Sequence, residues 1–115
     1  MVIDGERTVM VTTRMVVGRN PSAEAGEVPV AIPDMSRDLS KNHLRVEQDA
    51  DGQLVVTDLG STNGTRLRSL DGARRKLRPH LSTVVAWGES LELGTQQVVQ
   101  FESRVRVDER EQHGE

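Results

Sequence analysis

The chain has 115 residues, a length for one domain that can bury roughly two-thirds of its unfolded surface without staples. Cysteine is absent, which removes disulfides, thiolate metal sites and a thiol nucleophile, and no run approaches the roughly 18 apolar residues of a membrane span. Fifteen basic against eighteen acidic residues give a net charge of −3, too balanced to announce nucleic acid or membrane, and one Trp, one Phe and no Tyr leave no stacking platform for single strands.

With no charged-then-apolar leader, the expected setting is cytoplasmic. Residues 1–8 are expected as a lead-in, and residues 9–17, rich in β-branched and apolar side chains, read as one long strand or two joined by a bend. Residues 28–32 form a short run containing Pro29, which cannot donate to a ladder and therefore belongs at an edge or a bulge. Between these runs, residues 23–27 are too short, and too close to Pro21 and Pro29, for a stable helix. Residues 43–48 alternate, with Leu44 and Val46 on one face and Arg45 and Glu47 on the other. Asp51-Gly52 is a hairpin turn signal, and a strand over 54–58 follows it. Strands are expected over 65–67, 90–93 and 96–102, the last two joined by a tight turn at Gly94-Thr95. Trp87 is expected as a partly buried anchor ahead of a turn at Gly88. From residue 103 onward charge rises and apolar residues thin out, so 103–115 reads as a tail or linker and 9–102 as the domain. Many short strands with Gly-rich turns imply an all-β sandwich or barrel.

Three short stretches carry residue types that make chemical sense together. Gly18-Arg19-Asn20 ends the first long apolar run, where a glycine allows another backbone to approach and the arginine offers a planar fork of donors. Leu39-Ser40-Lys41-Asn42-His43 supplies a hydroxyl, an ammonium, an amide and an imidazole just before a strand. Asp58-Leu59-Gly60-Ser61-Thr62-Asn63-Gly64-Thr65 is a turn rich in hydroxyls and amides, with glycines that permit positive φ. All three lie at strand ends, so they can converge at one end of a sandwich. An arginine, a lysine, hydroxyls and exposed loop amides are what a dianionic phosphate needs.

These stretches, followed by Leu91-Glu92-Leu93-Gly94, resemble in order the signature of the forkhead-associated (FHA) family. The resemblance covers about residues 9–102, and the eight-residue turn is its most specific element. It implies an FHA-type β-sandwich of two antiparallel, partly mixed sheets with ligand loops at one end, recognising phosphothreonine in an extended peptide without catalysis. Carried over by position, Arg19, Ser40 and Lys41 contact the phosphate, and Thr62 helps hold the loop that faces it. Asn63 hydrogen-bonds the peptide backbone, and Arg37 sits near where family members read the third residue after the phosphothreonine. Gly18, His43 and Gly64 support the site. The resemblance further implies a partner phosphorylated by a Ser/Thr kinase, and no cofactor is expected. His80 and His113 lie at no metal-ligand spacing, so no metal is expected, and scarce aromatics with a negative net charge argue against a nucleic-acid partner. Lys41 stands where the family most often has arginine, and a point charge gives less geometric specificity than a fork.

The hairpin after Thr65 is longer than in many members, and residues 66–78 hold six basic residues against Asp71 alone. That segment reads either as a solvated hairpin or as a basic rim that attracts an acidic ligand. A phospho-independent assembly module on the same scaffold is the alternative function. Ser40, His43 and Asp58 do not make a hydrolase triad, because Ser and His three apart are not in a nucleophile-elbow context.

Overall fold

The computed structural model describes residues 1–33 and 38–102. Arg37 and the charged tail expected over 103–115 lie outside the described residues. The strands are β1 (Val2–Ile3), β2 (Arg7–Thr8), β3 (Arg14–Gly18), β4 (Val28–Ala31), β5 (Leu44–Gln48) and β6 (Leu54–Asp58). They continue with β7 (Thr65–Arg68), β8 (Arg74–Lys76), β9 (Thr83–Val85), β10 (Ser90–Leu93) and β11 (Gln97–Gln100), and no helix occurs among the described residues.

The strands build a sandwich of two sheets, in the orders β2-β1-β11-β10-β7-β8 and β4-β3-β5-β6-β9. Alternation selects the buried face. Leu44 and Val46 of β5 meet Leu54 and Val56 of β6, and across the interface Leu67, Leu91, Leu93 and Val99 point inward from the other sheet. Met15, Val17, Leu39 and Phe101 complete a core that is almost wholly aliphatic. Burying one such side chain contributes roughly 1.5–3 kcal/mol. β4 is an edge strand and pairs parallel to β3, which is the one mixed feature of the described sheets and the place that tolerates Pro29. The Arg7 guanidinium donates to the Ala31 carbonyl at 2.7 Å and ties the two sheets together at that side.

Several boundaries differ from the sequence reading. Residues 1–8 carry β1 and β2, with β1 paired to β11 and Met1 and Ile3 in the core. The strand expected from residue 9 begins at Arg14, because ladder pairing starts where Arg14 faces Glu47. The turns at Asp51-Gly52 and Gly94-Thr95 occur, with Gly52 at φ 83° and Gly94 at φ 65°. Trp87 is half-buried against the core and donates its indole N–H to the Gly52 carbonyl at 3.4 Å.

The register fixes which loops share an end. Gly18 pairs with Ala31, Val17 with Leu44 and Leu44 with Asp58, so β3 and β4 finish, β5 starts and β6 finishes at one end. β6 leads through the turn over 59–64 into β7, whose first residue faces Leu93. Leu93 in turn faces Gln97, and Arg66 faces Lys76. The β3–β4, β4–β5, β6–β7 and β10–β11 connections and the far end of β8 therefore gather together.

Candidate functional site

The turn between β6 and β7 is organised by one carboxylate. Asp58 is 1% exposed and accepts from the Gly60 and Ser61 amides at 2.9 and 2.8 Å and from the Ser61 and Thr65 hydroxyls, both at 2.6 Å. Burial pushes its carboxyl up, but the Ser61 and Thr65 hydroxyls, the Ser61 amide and nearby His43 outweigh that and leave it below the usual carboxylate range. The Ser61 hydroxyl oxygen then accepts the Gly64 amide at 3.1 Å. A tight turn with this many amides on one side chain needs a short acidic residue at its start, which is what Asp58 provides.

His43 braces the neighbouring loop against this turn. Its Nδ1 accepts the Ser40 amide at 3.2 Å, and its Nε2 lies 2.9 Å from the Gly64 carbonyl. One nitrogen facing a donor and the other an acceptor assigns the neutral, Nε2-protonated ring. Burial lowers its pKa, against the Gly64 carbonyl and the Asp58 and Asp38 carboxylates, which raise it. His43 is thus a structural strut.

Gly18 allows the third loop to close. A Cβ on Gly18 would fall 1.8 Å from the Lys41 carbonyl oxygen and 2.9 Å from that of Ser40. No side chain fits there, and the adjacent Arg19 amide donates to the Ser40 carbonyl at 2.9 Å. Arg19 Nε donates to the Leu39 carbonyl at 3.3 Å, which orients the guanidinium and leaves its terminal amino groups without a protein partner among the described residues.

The sequence-predicted residues Gly18, Arg19, Ser40, Lys41, His43, Thr62, Asn63 and Gly64 stand at one end of the sandwich. Ser40 Oγ accepts the Thr62 amide at 2.9 Å, joining the β4–β5 and β6–β7 loops directly. A hydroxyl that already accepts has its own proton to give outward. Lys41 is exposed, and its ammonium makes no ion pair among the described residues.

Two residues escaped the sequence reading. Asp38 accepts from Asn63 Nδ2 at its carbonyl and at Oδ1, both at 2.8 Å, and from the Thr95 amide and hydroxyl at Oδ2. It links three loops. Asn42, named only as part of its motif, accepts the Ser22 amide at 2.8 Å and anchors the β3–β4 loop. That loop is clamped at its far end by Glu27, whose covered carboxylate meets Arg14 at 3.0 Å and Arg45 at 3.1 Å. An acidic residue beside an expected anion site looks misplaced by charge, and only its loop-spanning bonds reveal what Asp38 does.

A family model described as FHA domain matches residues 15–94. Among solved structures, the FHA domain of an Arabidopsis thaliana hypothetical protein is 33% identical, with a TM-score of 0.58 over 82% of this chain and 71% of that one. The N-terminal FHA domain of S. cerevisiae Rad53p, solved in complex with a phosphothreonine peptide, is 24% identical, with a TM-score of 0.59 over 94% of this chain and 79% of that one. Among curated proteins, the chloroplastic zeaxanthin epoxidase of Prunus armeniaca is 28% identical over 83 residues, which is 72% of this chain but 12% of that protein's length.

Proposed function

The chain belongs to the forkhead-associated (FHA) family, and on that premise we propose that its loop end binds phosphothreonine peptides and catalyses nothing. The observation that carries this reading is the Thr62 amide on Ser40 Oγ at 2.9 Å. It leaves the Ser40 proton for a phosphate oxygen, beside the Arg19 guanidinium and the exposed Lys41 ammonium. Charge-assisted bonds of this kind contribute about 1.5–3 kcal/mol each. Loops already held by Asp58, Asp38 and His43 give up little entropy when the ligand arrives.

Asn63 takes a defined role in this reading. Both Nδ2 hydrogens are given to Asp38, so the side-chain oxygen is the group that meets the peptide, accepting a backbone N–H of the ligand. Arg37 is assigned to reading the third residue after the phosphothreonine. The preference for phosphothreonine over phosphoserine rests on the γ-methyl, about 1 kcal/mol for one buried methyl. The partner is a substrate of a Ser/Thr kinase, and the setting is cytoplasmic.

Calorimetry with one peptide carrying phosphothreonine, phosphoserine or threonine at the same position tests the reading. The phosphothreonine form binds tightest, the phosphoserine form about fivefold weaker, and the threonine form not saturably. Equal binding of the unphosphorylated peptide overturns it and favours phospho-independent assembly.

A further inference from the structure

The basic hairpin does not stand apart from the loop end. On β7, Thr65 and Leu67 are buried while Arg66 and Arg68 are exposed, so the two arginines project from the outer face of the sheet. Lys76 faces Arg66 and Arg74 faces Arg68 across the ladder, which puts all four cations on that one face. On the other side Glu92 faces Arg66. Glu92 is taken by Arg74 at 3.2 Å, and Arg66, Arg68 and Lys76 make no ion pair among the described residues.

Like charges placed directly opposite each other destabilise a sheet. Protecting an edge strand from pairing accounts for cations on β8, which is the edge. It does not account for Arg66 and Arg68, which lie on the inner neighbour. Three of these cations also border a depression of about 350 Å³, which is lined by Arg66, Arg74, Lys76, Arg75 and Glu92 and reaches Gly94 and Thr95. Thr95 is bonded to Asp38, the same residue that holds Asn63. From the other direction the Lys76 side chain runs over Gly64, where an added Cβ would come within 2.9 Å of Lys76 Cε. The depression thus neighbours the Asn63-Gly64 loop through Lys76 and Thr95 and continues along the sheet.

We propose that this outer face of β7 and β8 docks an acidic stretch of the same phosphothreonine-bearing partner, so that Arg66, Arg68 and Lys76 select carboxylates or a further phosphate flanking the recognised residue. The inference rests on the phosphopeptide reading of the loop end. Strand rise sets the reach. Arg66 lies two residues beyond Gly64 and Arg68 four, so the cations stand about 7 to 14 Å along the sheet. An extended peptide covers that distance in about two to four residues. The patch works by attraction between exposed charges, so its contribution fades as the screening length drops below about 8 Å.

The test uses the whole chain and phosphothreonine peptides whose flanks, two to five residues away on either side, are either alanine and serine or aspartate and glutamate. Anisotropy titrations at 50 and 400 mM salt are run on the parent, Arg66→Gln/Lys76→Gln and Arg19→Ala. The acidic flank on one side strengthens parent binding about five- to tenfold at 50 mM salt, as expected for two or three exposed pairs. That gain disappears at 400 mM salt and in Arg66→Gln/Lys76→Gln, whose affinity for the neutral-flank peptide is unchanged. Equal affinity for acidic and neutral flanks overturns the proposal while leaving the phosphopeptide reading intact. So does an equal loss for both peptides in the double variant. Failure of every phosphopeptide to bind removes the parent reading instead. Tighter binding of a DNA duplex or of phosphatidylserine vesicles than of the acidic-flank peptide, abolished by Arg66→Gln/Lys76→Gln, also overturns it by giving the face to another class of partner.

Discussion

The turn over 59–64 and the hairpin of β7 and β8 follow one another in the chain yet are built in opposite ways. In the turn, the amides of Gly60, Ser61, Thr62 and Gly64 all have side-chain acceptors, and Asp58 and Ser40 supply most of them. On the outer face of the hairpin, the side chains are long, exposed cations with one ion pair, between Arg74 and Glu92, among the described residues. The difference separates two kinds of recognition. Directional bonds to a phosphate need donors already in place, whereas attraction of flanking acids needs only charge at the right distance.

The largest expected effect lies in the turn. Asp58→Ala leaves two hydroxyls and two amides without their acceptor and destabilises the fold by about 3 kcal/mol in urea denaturation. A loss under about 1 kcal/mol breaks the view that this carboxylate organises the turn. Gly18→Ala comes next, at about 2 kcal/mol, because the methyl falls 1.8 Å from the Lys41 carbonyl oxygen and the β4–β5 loop must move. Peptide affinity falls with it, since the displaced loop carries Ser40. Arg19→Ala reverses the pattern, costing about 1.5–3 kcal/mol of phosphopeptide affinity with the thermal midpoint within a degree or two. Arg66→Gln sits at the small end and changes stability by less than about 0.5 kcal/mol, or raises it slightly by removing a like-charged neighbour of Lys76.

Acid separates the strut from the ligand. His43 has a folded pKa below its unfolded value of about 6.5, so the unfolded chain takes up the proton first. Its contribution to stability is fully present above about pH 6.5 and declines as pH falls through that value toward the folded pKa. Asp58, also depressed, has its contribution fully present above the ordinary carboxylate pKa and loses it as pH falls from that value toward the lower folded pKa. Phosphopeptide affinity declines below about pH 6, where the phosphate gains its second proton. An NMR titration of the His43 ring should place its midpoint below that of a free imidazole, and a midpoint at or above the free value would contradict the strut assignment.

Much of this was legible in the sequence where alternation or side-chain chemistry was strong. Leu44, Val46, Leu54 and Val56 announced β5 and β6, and the motif residues announced the loops they occupy. β8 was invisible, because Arg74, Arg75 and Lys76 have no apolar alternation and their strand exists only by pairing with β7. Val9 and Val11 looked like strand residues and instead pack against the core from irregular backbone, since apolar content does not say where a ladder partner begins. Asp38 and its bonds to Asn63 and Thr95 depend on β10–β11 lying beside β4–β5, a long-range proximity that local patterns do not encode.

The most direct test of the central claim is a heteronuclear NMR titration with a phosphothreonine peptide and its unphosphorylated twin. The site assignment predicts saturable shifts at the Arg19, Ser40, Lys41, Thr62 and Asn63 amides with the phosphorylated peptide alone, all lost in Ser40→Ala. Equal shifts from both peptides, or shifts centred at the opposite end of the sandwich near Gly52 and Trp87, would contradict it.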